Sequence, residues 1–252
     1  MTFYKTIKKG LPLLFIFNLF ISFSFAKETK DLKAKSISEI IKRGSLKDIK
    51  SFFNNNKKKI NSFDHLGKSP LMHAALFDRP KVALFLLKNG ANTESATPLG
   101  QTSLSLASQK GNKEVVSTLL NYKADVNSKD KWQWTPLMVA SLKGHKEVVK
   151  LLLKASAKVN LKNIQGVSAL TLASVKGHKK ILRQLILNKA LVNIKDNKGR
   201  TALIHAVRKN RPFVVKLLLE SGADKLIKDN KGVSALHLAK KLKFKEVQKY
   251  LL

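Results

Sequence analysis

Beyond residue 63 the apolar positions repeat on two scales. An alanine recurs at Ala74, Ala107, Ala140, Ala173, Ala206 and Ala239, each 33 residues after the last, and a leucine stands three residues before each one, from Leu71 and Leu104 through Leu137, Leu170 and Leu203 to Leu236. A fixed period of this length marks a stacked supersecondary unit, not a single element. Two positions ahead of each leucine is a hydroxyl residue, Ser69, Thr102, Thr135, Ser168, Thr201 or Ser234. That spacing predicts an N-cap followed by a helix with Leu and Ala on one face. Sets such as Val115/Leu119/Leu120, Val148/Leu152/Leu153 and Val214/Leu218/Leu219 predict a second, half-buried helix in each unit, ending at Gly90, Lys123, Ser156, Lys189 and Gly222. Ahead of the caps, glycine holds one register in five units and Gln133 replaces it in the other, which predicts a tight turn there.

The segments TPLMVASLKGHKEVVKLLLKASAKVN and TALIHAVRKNRPFVVKLLLESGADK resemble the ankyrin repeat, and the resemblance runs over Asp64 to Leu252 as six consecutive units. It implies an all-α repeat fold, an ankyrin-repeat solenoid in which every unit contributes a finger turn and a helix-turn-helix. The family's usual histidine after the leucine survives only at His237, and its proline only at Pro70 and Pro136. Those losses weaken individual turns and leave the architecture intact. Residues 37–63 are expected to form a degenerate N-terminal capping repeat, because Ile49, Phe52, Phe53, Ile60 and Asn61 stand 33 residues ahead of Val82, Phe85, Leu86, Thr93 and Glu94. Lys42, Arg43, Lys47 and Lys50 give that unit the polar outer face an end repeat needs.

The first residues read as an address. Lys5, Lys8 and Lys9 precede the apolar run LPLLFIFNLFISFSFA, which ends in the small residues of a cleavage site, so residues 1–26 are expected to be a signal peptide. Asn18, Ser22 and Ser24 interrupt the run, which is shorter than the roughly 20 apolar residues of a spanning helix. Residues 27–36 are expected to be a basic disordered arm. The chain carries 49 Lys+Arg against 16 Asp+Glu, a net charge of +33. Losing three lysines with the leader leaves +30 on an exported, periplasmic or secreted product. Zero cysteines exclude a disulfide framework, a thiolate metal site, an Fe–S cluster, a cysteine nucleophile and cysteine lipidation.

Catalytic chemistry has little to work with. His145 and His178 occupy the same slot of adjacent units, about 8–10 Å apart at helix-packing distance, too far to share a metal ion. No i, i+4 histidine pair, phosphate loop or nucleophile elbow appears. Asp64, Asp130, Asp196 and Asp229 fall at turns where they can bond their own backbone. No enzyme activity, cofactor or metal is expected, and the histidines are read as structural.

The resemblance places binding on the fingers and the exposed side of the first helices. There the first four units offer Leu66, Phe77, Leu99, Lys131, Trp132 and Trp134, and the last two offer Lys198, Arg200, Arg208, Lys209 and Lys231. The expected groove is apolar at one end and cationic at the other, with both tryptophans on one finger as candidate hot spots. Because each repeat supplies its own buried contacts the chain is expected to be a monomer, and its charge favours an acidic protein partner; resemblance to exported bacterial ankyrin proteins implies an inhibitor, a protective cofactor of an envelope enzyme, or a secreted effector. The alternative is electrostatic binding of an anionic polymer or surface (lipopolysaccharide, cell-wall polymer, anionic lipid or nucleic acid). Sequence-specific nucleic-acid recognition is not expected.

Overall fold

The computed structural model describes residues 36–252. The expectations of a signal peptide at 1–26 and of a disordered arm, up to its last residue, lie outside the described residues. The helices come in antiparallel pairs. The first pair is α1 (Ile37–Arg43) and α2 (Leu46–Asn55), closed by a 3-10 turn at Lys57–Asn61. Six pairs follow, each with an inner and an outer member: α3 (Pro70–Leu76) and α4 (Pro80–Lys88), α5 (Ser103–Lys110) and α6 (Lys113–Asn121), α7 (Pro136–Lys143) and α8 (Lys146–Lys154). The stack continues with α9 (Ala169–Lys176) and α10 (Lys179–Leu187), α11 (Ala202–Arg208) and α12 (Pro212–Glu220), and α13 (Ala235–Lys241) and α14 (Lys245–Leu251). Among the described residues, strand pairing is limited to single antiparallel bridges at Ala96/Thr102, Lys162/Ser168 and Lys228/Ser234, at the bases of three fingers.

Every inner helix starts as its sequence requires. The hydroxyls of Ser69, Thr102, Thr135, Ser168, Thr201 and Ser234 each accept from the backbone N–H three residues on, satisfying a donor the helix leaves unpaired. The recurring leucines of the first five units and all six alanines are buried. Behind them lie Val82, Val115, Val148, Ile181, Val214 and Val247 with Leu86, Leu119, Leu152, Leu185, Leu218 and Leu251 of the outer helices. Inner helices pack on inner helices and outer on outer, so each leucine, worth roughly 1.5–3 kcal/mol of burial, is shared between neighbouring units.

Two rows of side-chain hydrogen bonds cross the junctions. In the first, the residue before four of the outer helices reaches back to carbonyls at the end of the preceding unit's inner helix. Arg79 donates to Ile41, Lys42 and Gly44 at 2.7–2.9 Å, Asn112 to Ala75 at 2.7 Å, and the Nε2 of His145 and of His178 lie 3.0 and 3.2 Å from the carbonyls of Gln109 and Leu142. These histidines are structural, and Gly111 and Gly144 make room for them: a Cβ on either would stand 2.5 or 2.7 Å from the ring. In the second row, Asn61, Asn160 and Asn193 donate to Gly90, Lys189 and Gly222 while accepting from Asn92, Leu191 and Asp224.

The two ends differ from the middle. Ile41, Ile49, Phe53 and Ile60 of the first pair are buried, and the Arg79 bonds tie that pair to the next. In α13 and α14 the slots of Ile204, Val207 and Val215 are taken by His237, Lys240 and Gln248. His237 and Lys240 are exposed and Gln248 donates to the Ala239 carbonyl, so polar groups face outward where the earlier units present an apolar stacking surface.

Candidate interaction face

Each finger is a turn held by one side chain. Asp130 Oδ1 accepts from the N–H groups of Trp132 and Trp134 at 2.9 and 2.8 Å, and Asp64, Asn163, Asp196 and Asp229 do the same in their own units. The residue at the tip adopts positive φ: glycine in five fingers, and Gln133 at +61° in the third. Neighbouring fingers are stitched edge to edge. Lys131 N–H donates to Leu99, Ile164 to Trp132, Asn197 to Gln165 and Asn230 to Lys198, each at 3.0 Å. At the first junction the corresponding residue is Pro98, which has no N–H to give and packs on Gly67 instead.

The sequence-predicted contact residues divide on this frame. Leu66, at 48% exposure, and Lys131, Lys198, Arg208, Lys209 and Lys231 are exposed. Leu99 and Trp132 are half-buried, and Ile164 stands out on the next finger at 45% exposure. Phe77 is half-buried, stacked on His73 with ring centroids 5.8 Å apart, and the Lys42 ammonium lies 5.5 Å from its ring. Two expectations need correction. Trp134 keeps only 8% of its surface exposed, because its slot lies on the arm of the finger that returns into the inner helix. Arg200, in the same slot of the fifth unit, is committed to Asp196, with Nε at 2.9 Å and a terminal nitrogen at 2.7 Å from Oδ2.

That aspartate also lies 2.9 Å from His205 Nε2, and Asp64 lies 2.8 Å from His73 Nε2 in the first unit. Burial raises the Asp196 pKa, but hydrogen bonds from His205 and Arg200 outweigh it and hold the carboxyl well below the usual range. Asp64 follows the same logic, with burial opposed by bonds from Lys68, His73 and Leu66. Burial keeps His73 and His205 below the usual imidazole range despite their aspartates. Asp130, whose bonds come from the backbone of Trp134 and Trp132, is pushed upward by burial. The Asp–His–Arg cluster missed by sequence reading had a visible signal, the shared nine-residue spacing of Asp64/His73 and Asp196/His205. Among the described residues no group of three or more His, Asp or Glu side chains could hold a metal ion.

A family model described as ankyrin repeats in three copies matches residues 92–163 and 170–252, and one described as a single ankyrin repeat matches residues 66–94. A comparison with curated proteins returns no match. Among solved structures, the ankyrin repeat protein EF0377 is 29% identical, with a TM-score of 0.68 over 75% of this chain and 98% of its own. An ankyrin repeat domain from Acinetobacter baumannii AYE is 30% identical, with a TM-score of 0.68 over 72% and 95% of the two chains. The ankyrin repeat domain of Bcl-3, described as a unique member of the IkappaB protein family, shares the fold at 24% identity, with a TM-score of 0.76 over 88% and 99%. With its 33-residue period, its caps and these matches in agreement, the chain belongs to the ankyrin-repeat family.

Proposed function

We propose that this chain is a non-catalytic scaffold that binds one acidic partner protein along its finger edge and inner-helix face. Ankyrin repeats generally form protein-interaction scaffolds, and this chain adds its own chemistry to that role. The carrying observation is the finger row. Backbone bonds stitch it from Leu99 to Asn230, and it offers apolar side chains at Leu66, Leu99, Trp132 and Ile164 before turning to Lys198 and Lys231. A pre-ordered edge binds without first losing loop entropy, and a half-buried Trp beside exposed aliphatics is the composition of an interface hot spot. The cations add steering toward a partner of opposite sign. Arg208 and Lys209 extend that cationic part onto the inner-helix side, while Trp134 and Arg200 are assigned to the scaffold.

The reading includes export. The basic start, apolar run and small residues of segment 1–26 support removal of a leader and action in the periplasm or beyond it. N-terminal sequencing of the exported product is expected to begin near Lys27; recovery of Met1 or Thr2 on a membrane-bound product would replace the leader with an anchor. Affinity capture with the mature protein, followed by titration of the purified partner, tests the scaffold reading. One saturable complex weakened at least tenfold by Trp132→Ala is expected, and a partner indifferent to every finger substitution would reject it.

A further inference from the structure

We propose that the edge where the inner helices end is a docking rail for an extended acidic segment of a partner protein. The inference rests on the protein-binding reading and names the chemistry of its ligand. Lys110, Lys143 and Lys176 are the last residues of α5, α7 and α9, and Lys209 directly follows α11. All four occupy one slot of the 33-residue unit, so the packed inner helices bring up one ammonium about every 8–10 Å, the spacing of packed helices. Three residues further on, Lys113, Lys146 and Lys179 begin the outer helices, the first two followed by Glu114 and Glu147 in the same turn.

A single lysine in a helix's last turn is favoured by that dipole and needs no further account. A file of them does. Lys143 is held below the usual lysine range by burial and then by Lys176 and Lys110, so the column repels itself in the folded chain. Meanwhile Asp64, Asp125, Asp130, Asp196, Asp224 and Asp229 accept from backbone N–H groups in fingers and connecting loops, at the other end of the helices. Glu147 meets Lys146 at 3.3 Å on this edge and Glu114 follows Lys113, yet the lysines of the file outnumber these acids, and a ligand bringing a matching row of negative charge relieves their mutual repulsion.

Spacing and neighbours select the ligand. A peptide extended as polyproline II advances about 3.1 Å per residue with three residues per turn, so every third side chain falls on one face and comes opposite a successive lysine. Of the residues one position earlier, Gln109 and Val175 are uncharged and half-buried and Leu142 is buried, before Arg208 ends the series. The uncharged Gln109 and Val175 suit the side chains between the acids. Single-stranded nucleic acid is gripped by aromatic rings interleaved with cations, and these slots of units two to five hold none.

The test measures fluorescence anisotropy at about 0.1 M salt, where the Debye length of roughly 10 Å matches the rail spacing. The probes are a labelled peptide of Glu-Val-Ala repeats, heparin and oligothymidylate. The rail variant is Lys176→Gln/Lys209→Gln, and the control of equal charge is Lys150→Gln/Lys180→Gln on the outer helices, with circular dichroism melts confirming that both fold. The rail variant is expected to lose at least tenfold in peptide affinity and the control less than threefold, while heparin and oligothymidylate respond alike to both. Equal losses for the peptide would overturn the rail in favour of a diffuse field, and a rail dependence larger for either polymer would overturn the acidic peptide as occupant. Failure here is separable from failure of the scaffold reading. A natural partner lost with Trp132→Ala but kept by the rail variant removes the rail alone, whereas rail-dependent peptide binding with capture indifferent to Trp132 removes the finger site alone.

Discussion

In the third finger Asp130 is bonded by the backbone N–H groups of Trp132 and Trp134, and the slot facing the inner helix is filled by an indole. Two units later Asp196 bonds the same two backbone positions, but that slot holds Arg200, clamped on the carboxylate beside His205. One backbone turn is thus closed by apolar packing in one unit and by an ionic cluster in the other. The carboxyls record the difference, Asp130 being raised by burial and Asp196 held low by its cationic and imidazole partners. Within a repeat family, the slot belongs to the scaffold and the chemistry filling it to the individual unit. A residue unusual for its slot is therefore not yet a residue for a ligand.

The largest expected effect comes from the apolar closure. Trp134→Ala should lower stability by about 3–5 kcal/mol in urea unfolding, as loss of a packed Trp does. A loss below about 1 kcal/mol would return this ring to the surface. The ionic closure comes next. Arg200→Gln should cost about 1.5–3 kcal/mol, the range for hydrogen bonds to a charged group, because the Asp196 side chain is only 2% exposed and loses both guanidinium bonds. An unchanged unfolding midpoint would free Arg200 for a partner.

Acid should separate the two fingers further. The unfolded chain takes up imidazole protons near pH 6.5 that His73, His178 and His205 refuse while folded, so stability is full above that pH and falls as pH drops through it. Asp64 and Asp196, also lowered, extend the loss below about pH 4, whereas Asp130, raised, gains stability as pH falls. Thermal melts between about pH 7.5 and 5 should show a falling midpoint that His205→Leu flattens. A midpoint that rises on acidification would invert the assignment. The smallest effect lies at the tip of the third finger. Gln133→Gly should stabilise by about 0.5–1 kcal/mol, relieving a left-handed backbone at φ +61° less what glycine returns to the unfolded chain.

Much of this was legible from the period alone. The 33-residue recurrence carried the helix pairs, the hydroxyl caps, the reversed backbone at the tip and the structural reading of His145 and His178. Burial was harder to read for Trp132 and Trp134, two residues apart on one finger. They differ because the chain folds back between them, and the apolar Val167 in the slot of Trp134 was the available sign. Arg200 looked like groove charge because its partner lies in tertiary space, although Asp196 four residues earlier offered the clue. The junction row of Asn61, Asn127, Asn160 and Asn193 was visible at the same period, but its bonds run between units, and nothing local to one unit announces them.

On the proposed reading the finger edge, and not the outer-helix side, meets the partner. Leu187 is 81% exposed at the end of α10 and makes the fair control. Titrating the captured partner against the wild type, Trp132→Ala and Leu187→Ala, with melts of all three, gives the most direct test. Trp132→Ala is expected to lose affinity by about thirtyfold, or about 2 kcal/mol, with its melting point nearly unchanged, and Leu187→Ala to bind like the wild type. Full affinity in Trp132→Ala alongside a loss in Leu187→Ala would contradict it and move the interface to the other side of the stack.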